Sequence, residues 1–490
     1  MTFEEFYKKF GFEKYPFSTF TAENELEKLN EIFVHPTCYS PIKESIDSGA
    51  TAFIYGERGT GKTALLKETI KNKKAIEIDN FASIPTDSSN EKFYDLLISN
   101  ISKTIIIDLS KKSVKKIGLD REDKILISYM IKYHIEHTTL NLAYENIRNI
   151  QHPLIKRIGI VIYNAFRSTA NQLASTAIDM VSDAVLKHLN VPSTNTYEPR
   201  EYFKELKIAE IEDPEQSPKN YHILEKSLEL YVKINKEKAT FTLDKIDEDP
   251  RFQNDAESIA EFIKPLFTDN KLLLNKNIQI VISTWIIPFN KILPYFRKNK
   301  FCCEEIHWSK TEILELINRR IKIFSSNKTP DIERILQNPD DFEKIWKISN
   351  GNPRDLIQVL NKIFREQFRE NSKSELLSES AVSIGITEFV KNFSFFEYYP
   401  RKNNARKSTM DVYSYISHLL KLDNIRFTQN SLSERAATGS STANYIVGME
   451  SIGLVLRCDE KGPNGSTLYQ IRDPKVIHAL ENKIEIRRER

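Results

Sequence analysis

Gly56, Gly59 and Gly61 fall within six residues of a chain that has only 14 glycines, and Lys62 and Thr63 follow them directly. The stretch Gly56-Glu57-Arg58-Gly59-Thr60-Gly61-Lys62-Thr63, leading into Ala64, fits G-x-x-x-x-G-K-[ST] in full. Glycines at that spacing let successive backbone N–H groups close around phosphate oxygens, and a helix N-terminus behind them adds partial positive charge. Lys62 would reach the terminal phosphates of a nucleoside triphosphate, and the Thr63 hydroxyl would ligate Mg²⁺. Gly56 to Ala64 are therefore the expected binding residues for ATP with Mg²⁺.

A Mg²⁺ ion held by phosphates keeps near-octahedral oxygen geometry and usually takes a carboxylate from a neighbouring strand. Asp244, at the end of Thr240-Phe241-Thr242-Leu243, is the candidate; alone, such an acid would equally cap a strand-to-helix turn. Ser283 and Thr284 sit near the tip of Val281-Ile282-Ser283-Thr284-Trp285, where either would orient an attacking water or cap the next turn. In Ser349-Asn350-Gly351-Asn352-Pro353-Arg354, the glycine breaks the chain, the proline suits the first turn of a helix, and Arg354 projects from that turn toward a γ-phosphate.

These groups need a scaffold. Runs of strand type at Thr51–Gly56, Lys74–Asp79, Lys238–Asp247, Asn277–Trp285 and Phe301–Trp308 alternate with helical patterns, one of which, Phe289–Lys300, ends in basic residues. Such alternation predicts a parallel sheet covered by helices on both faces. The text from about Ile84 to Lys238 is mostly helical and reads as an insertion, including a long amphipathic helix from Ile158. After Trp308 the pattern is helical again. The predicted fold is α/β, with residues 1–83 and 239–308 forming the core, 84–238 the insertion, 309–405 a helical lid and 406–490 a small C-terminal domain.

With these motifs in order, the chain resembles the initiator-type (origin-recognition-like) AAA+ ATPases and the STAND ATPases over roughly residues 11–70 and 239–480. The resemblance implies a P-loop NTPase core, a helical lid and a C-terminal winged helix. It implies that Ser283 or Thr284 is the first sensor and Arg354 the second, that Arg297 is an arginine finger for a neighbouring subunit, and that the segment from Lys14 is a base-side strap. The sequence departs from initiators at Lys245, where they place an acid after the metal-side aspartate. In one STAND branch the acids lie three and four positions on, which here are Asp247 and Glu248. Either would polarise the attacking water, or hydrolysis would be slow and ATP chiefly a switch.

Residues from about Ser408 to Leu480 carry three short helical patterns and a hairpin around Gly462, Pro463 and Gly465, the order of a winged helix. Ser440, Ser441, Thr442, Asn444 and Tyr445 are its candidate DNA contacts, with Arg457, Lys461 and Arg472 on the phosphates. Arg401 to Arg490 hold 15 basic and 10 acidic residues, a local excess of five, while the whole chain is only +3. Bulk charge thus names no nucleic-acid partner.

The four cysteines have no metal-ligand spacing and read as reduced, buried thiols. Met1 to Phe10 has acids where an export signal has a basic and then an apolar segment, and no uncharged apolar run reaches the ~18 residues of a membrane span. The expectation is a cytoplasmic homo-oligomer with no membrane contact that couples ATP hydrolysis to duplex DNA binding. The alternative is a STAND-like signalling switch, including in antiviral defence, whose winged helix touches no DNA and which works beside a separately encoded effector protein.

Overall fold

The computed structural model describes residues 1–19, 31–111, 219–329, 331–401 and 410–488, with residues 117–120, 123, 126, 127, 130 and 134 between the second and third of these stretches. The amphipathic helix expected from Ile158 lies outside them.

Five strands, β1 (Ala52–Gly56), β2 (Ala75–Ile78), β3 (Ala239–Leu243), β4 (Ile278–Trp285) and β5 (Cys302–Glu305), form one sheet in the order β2-β3-β4-β1-β5. Every pairing is parallel. β1, β3 and β4 are buried along their whole length, which is why they read as continuous apolar runs instead of alternating ones. Successive side chains feed opposite layers: Phe53 and Tyr55 join one core with Ile280 and Ile282, while Ile54 and Val281 join the other with Leu65 and Leu66.

Helices Asn90–Lys111 and Lys219–Asn235 bury Phe93, Leu97, Leu224 and Tyr231 in the same cluster as Phe241 and Ile280, so the described ends of the insertion cover one face of the sheet. The helix expected over Phe289–Lys300 has other bounds. It runs Ile286–Ile292 and stops before Pro294, whose ring and missing N–H oppose continuation. Arg297 consequently sits on an exposed turn ahead of β5 instead of on a helix. The thiols also differ from expectation, since Cys38 is buried but Cys302, Cys303 and Cys458 are half-buried; all four are free.

A third core joins the lid helices Lys310–Phe324, Asp341–Ser349, Pro353–Asn371 and Glu379–Lys391 to both chain ends. From the N-terminal side, Phe6, Phe10, Phe12 and Phe17 pack around Phe364. From the other side come helices Val412–Leu419, Gln429–Ala436, Thr442–Ser451 and Pro474–Glu481. Strands β6 (Arg426–Thr428), β7 (Val455–Lys461) and β8 (Thr467–Ile471) make an antiparallel sheet in the order β6-β8-β7, with β7 and β8 joined by the Gly462–Gly465 turn.

Candidate functional site

The glycine-rich loop connects β1 to the helix Lys62–Ile70. Gly59 and Gly61 adopt φ of +84° and +88°, values at which a side chain is strained, so the loop needs glycine there. A Cβ placed on Gly61 would meet nothing within 4 Å, leaving open space where the loop faces the helix N-terminus. Loop carbonyls are held from behind: Trp308 Nε1 donates to Thr60 O at 2.8 Å, and Asn352 Nδ2 to Arg58 O at 2.6 Å. The Arg354 N–H donates to Gly59 O at 3.4 Å.

Lys62 folds back over this loop, its Nζ donating to Gly56 O at 3.2 Å and Glu57 O at 2.9 Å. Burial depresses its pKa, while Asp247, Asp244 and Glu57 oppose the shift. Thr63 Oγ1 donates to Asp244 Oδ2 at 2.7 Å, although β4 separates β3 from β1 in the sheet. A hydroxyl and a carboxylate oxygen side by side at a helix N-terminus are the donor set that Mg²⁺ takes alongside phosphate oxygens. Among the described residues no cluster of three or more His, Cys, Asp or Glu would hold a metal by itself.

Lys245, the position at which the sequence departs from initiators, has a left-handed backbone. Its φ of 60° and ψ of 22° reverse the chain into the 3₁₀ turn Ile246–Glu248. That turn brings Glu248 back to the cavity, beside Asp244 and Lys245. Glu248 is open to the cleft, yet the protein walls around it push its carboxyl up, with the like charge of Asp247 adding to the effect. Asp247 is placed otherwise. Its carboxylate accepts from Arg58 Nε at 2.9 Å, and Arg58 Nη2 donates to its carbonyl at 2.6 Å. The Arg58 guanidinium also lies 4.4 Å from the Trp285 ring centroid, while Trp285 Nε1 donates to Glu57 Oε2 at 3.3 Å.

Arg354, half-buried, lines the same cavity from the lid together with Ile357 and Leu316. Asn352 caps its helix by accepting from the N–H groups of Arg354 and Asp355, with Pro353 in the first turn. The far wall is formed by Thr19, Phe33 and Arg320, whose guanidinium donates to the carbonyls of Pro16 and Thr19. Ser283 and Thr284 do not line the cavity; both are buried in β4, and neither hydroxyl has a hydrogen-bond partner among the described residues. Arg297 lies outside it as well. A larger cavity of about 1380 Å³ lies elsewhere, beside helix Val412–Leu419, and none of the glycine-loop residues lines it.

Sequence reasoning passed over Trp308 and Asn352. The Asn-Pro pair was the available signal for the second, because asparagine caps helices and proline follows at their first position.

The sheet order and the loop-to-helix geometry define the fold class: an α/β P-loop NTPase core with large helical parts. No family model matches the chain, and no curated protein does. Among solved structures it is similar to the Walker-type ATPase PABY2304 of Pyrococcus abyssi, at 12% identity and a TM-score of 0.41 over 94% of this chain and 96% of that one. It is similar to the Aeropyrum pernix ORC2 protein in ADPNP–ADP complexes, at 13% identity and a TM-score of 0.36 over 97% of each chain. The Aeropyrum pernix ORC1 protein in complex with DNA follows at 12% identity and a TM-score of 0.33, over 92% of this chain and 94% of that one. At these scores the functional assignments rest on the site's own residues.

Proposed function

We propose that the protein binds ATP with Mg²⁺ and hydrolyses it as an AAA+-type ATPase. The observation that carries this reading is the contact of Thr63 with Asp244 at 2.7 Å directly behind the open glycine loop. The loop and Lys62 would bind the phosphates, Thr63 and Asp244 would hold Mg²⁺, and Arg354 would contact the γ-phosphate. Bound Mg²⁺ would neutralise charge on the phosphates. Glu248 takes a proton from water as its oxygen attacks the γ-phosphorus; the bond to the bridging oxygen breaks, and ADP departs with that bond's electron pair. Asp247, tied to Arg58, shapes the turn that presents Glu248.

Binding of a fluorescent ATP analogue with Mg²⁺ tests the first half of the reading. Lys62→Ala is expected to abolish it, and binding equal to that of the unaltered protein would refute it.

Coupling of nucleotide state to oligomerisation and duplex DNA, with Arg297 acting on a neighbouring subunit, is the fuller form of the proposal, and the C-terminal module is its winged helix. A second reading, the signalling switch in which this module contacts the protein's own core, is favoured by the placement of two expected DNA contacts. Thr442 is buried, its hydroxyl donating to Gly439 O at 2.7 Å. Arg472 borders the cleft it shares with Glu57 and Glu305. Two further basic residues are already matched, Arg426 with Glu460 at 2.8 Å and Arg435 with Asp423 at 2.6 Å. Duplex binding titrated against salt separates the readings: phosphate contacts give a log–log slope of about −0.9 for each phosphate neutralised, and the switch gives none.

A further inference from the structure

Lys475, at the second position of helix Pro474–Glu481, has a side-chain exposure of 0%, which is rare for a lysine. Its Nζ lies 2.9 Å from Oδ2 of Asp355, itself 6% exposed. The contact is an ion pair outside hydrogen-bond geometry, and neither atom has a hydrogen-bond partner among the described residues. The ring centroids of Phe393 and Tyr398 stand 4.4 and 5.0 Å from the ammonium. Asp473 completes the surroundings, accepting from the Lys475 N–H at 2.8 Å and the Tyr399 hydroxyl at 2.8 Å. Burial depresses the Lys475 pKa, but Asp355 and Asp473 outweigh it and hold the ammonium protonated.

Burying a charge pair is generally no more stabilising than burying apolar groups of the same shape, so stability does not account for this one. Its address does. Asp355 follows Arg354 in the first turn of the lid helix, and that turn is already fastened to the phosphate loop by Asn352 on Arg58 O and by the Arg354 N–H on Gly59 O. Residues 352–355 therefore touch the phosphate loop on one side and the C-terminal module on the other.

We propose that Lys475 is a positioning residue for Arg354, acting through Asp355, so that the C-terminal module sets how the γ-phosphate is read and the γ-phosphate in turn sets the placement of that module. This rests on the nucleotide-binding reading of the cavity. Such coupling is reciprocal by thermodynamic necessity.

The test uses the full chain with Mg²⁺, ADP and a non-hydrolysable ATP analogue, in the unaltered protein, in Arg354→Ala, and in the double variant Asp355→Leu/Lys475→Met, which removes both charges together. The double variant is expected to keep its thermal midpoint and its ADP affinity, while its preference for the ATP analogue over ADP falls by at least about fivefold, toward that of Arg354→Ala. A preference unchanged in the double variant but lowered in Arg354→Ala overturns the role of Lys475 alone. A preference unchanged in both, or no nucleotide binding by the unaltered chain, overturns the reading of the cavity as well. Hydrogen exchange on the unaltered chain needs no variant to fold: the ATP analogue is expected to slow amide exchange across residues 475–481 more than ADP does. Equal protection by the two nucleotides overturns the proposal.

Discussion

Arg58 and Asp247 form an ion pair at 2.9 Å in which the carboxylate side chain is 5% exposed and the arginine 16%. It ties the variable part of the glycine loop to the turn after β3. The guanidinium also reaches the lid, donating to Glu397 O at 3.4 Å. Asp247 and Glu248 both line the cavity, but Asp247 is held in this ion pair, whereas Glu248 is exposed to the cleft.

Breaking that pair from one side strands a buried carboxylate. Arg58→Ala is expected to lower unfolding stability by about 3 kcal/mol or more, whereas Arg58→Ala/Asp247→Ala recovers much of the loss. Urea unfolding of both variants checks this, and equal losses would show that the pair carries no coupling.

The protein walls around Glu248 and the adjacent Asp247 charge raise its carboxyl pKa, although the side chain is open to the cleft. A general base works deprotonated, so kcat is expected to fall on the acid side at a pH above the ordinary carboxylate range. Asp247→Asn removes a like charge that favours the protonated form. It should therefore move the acid limb of the kcat profile to lower pH; movement to higher pH would contradict the assignment.

Gly59 links loop and lid sterically. A Cβ there would lie 2.7 Å from Asn352 Oδ1 and 3.0 Å from Arg354 Cβ, at a φ of +84°. Gly59→Ala is expected to speed hydrogen exchange at residues 352–356 and weaken ATP binding at least tenfold.

Gly385 tests the lid away from the site. Its Cβ would approach the Ile363 Cα to 2.7 Å, and that backbone cannot move aside cheaply. Gly385→Ala should cost about 1–3 kcal/mol of stability by overpacking while leaving nucleotide affinity within about twofold.

The loop, its helix and the five strands were legible because each depends on local pattern: glycine spacing, a helix start, and apolar runs bounded by turns. Asp244 could be picked out because it closes one of those runs. What stayed hidden depends on chain segments distant in sequence. Nothing near Arg58 announces Asp247, 189 positions on. Nothing near Lys475 in the sequence announces Asp355, which the fold sets beside it. The different surroundings of Asp247 and Glu248 follow from the left-handed backbone at Lys245, a conformation that a lysine does not advertise. The overextended helix at Phe289–Lys300 was a local misreading, since Pro294 was in view.

Hydrolysis of ATP in this cavity with Glu248 as the base is tested most directly by steady-state phosphate release from Mg²⁺–ATP, comparing the unaltered protein with Glu248→Gln while ATP binding is monitored in parallel. Retained binding and a fall in turnover of about 10²-fold or more are expected. Equal turnover in the two proteins would contradict this role of Glu248.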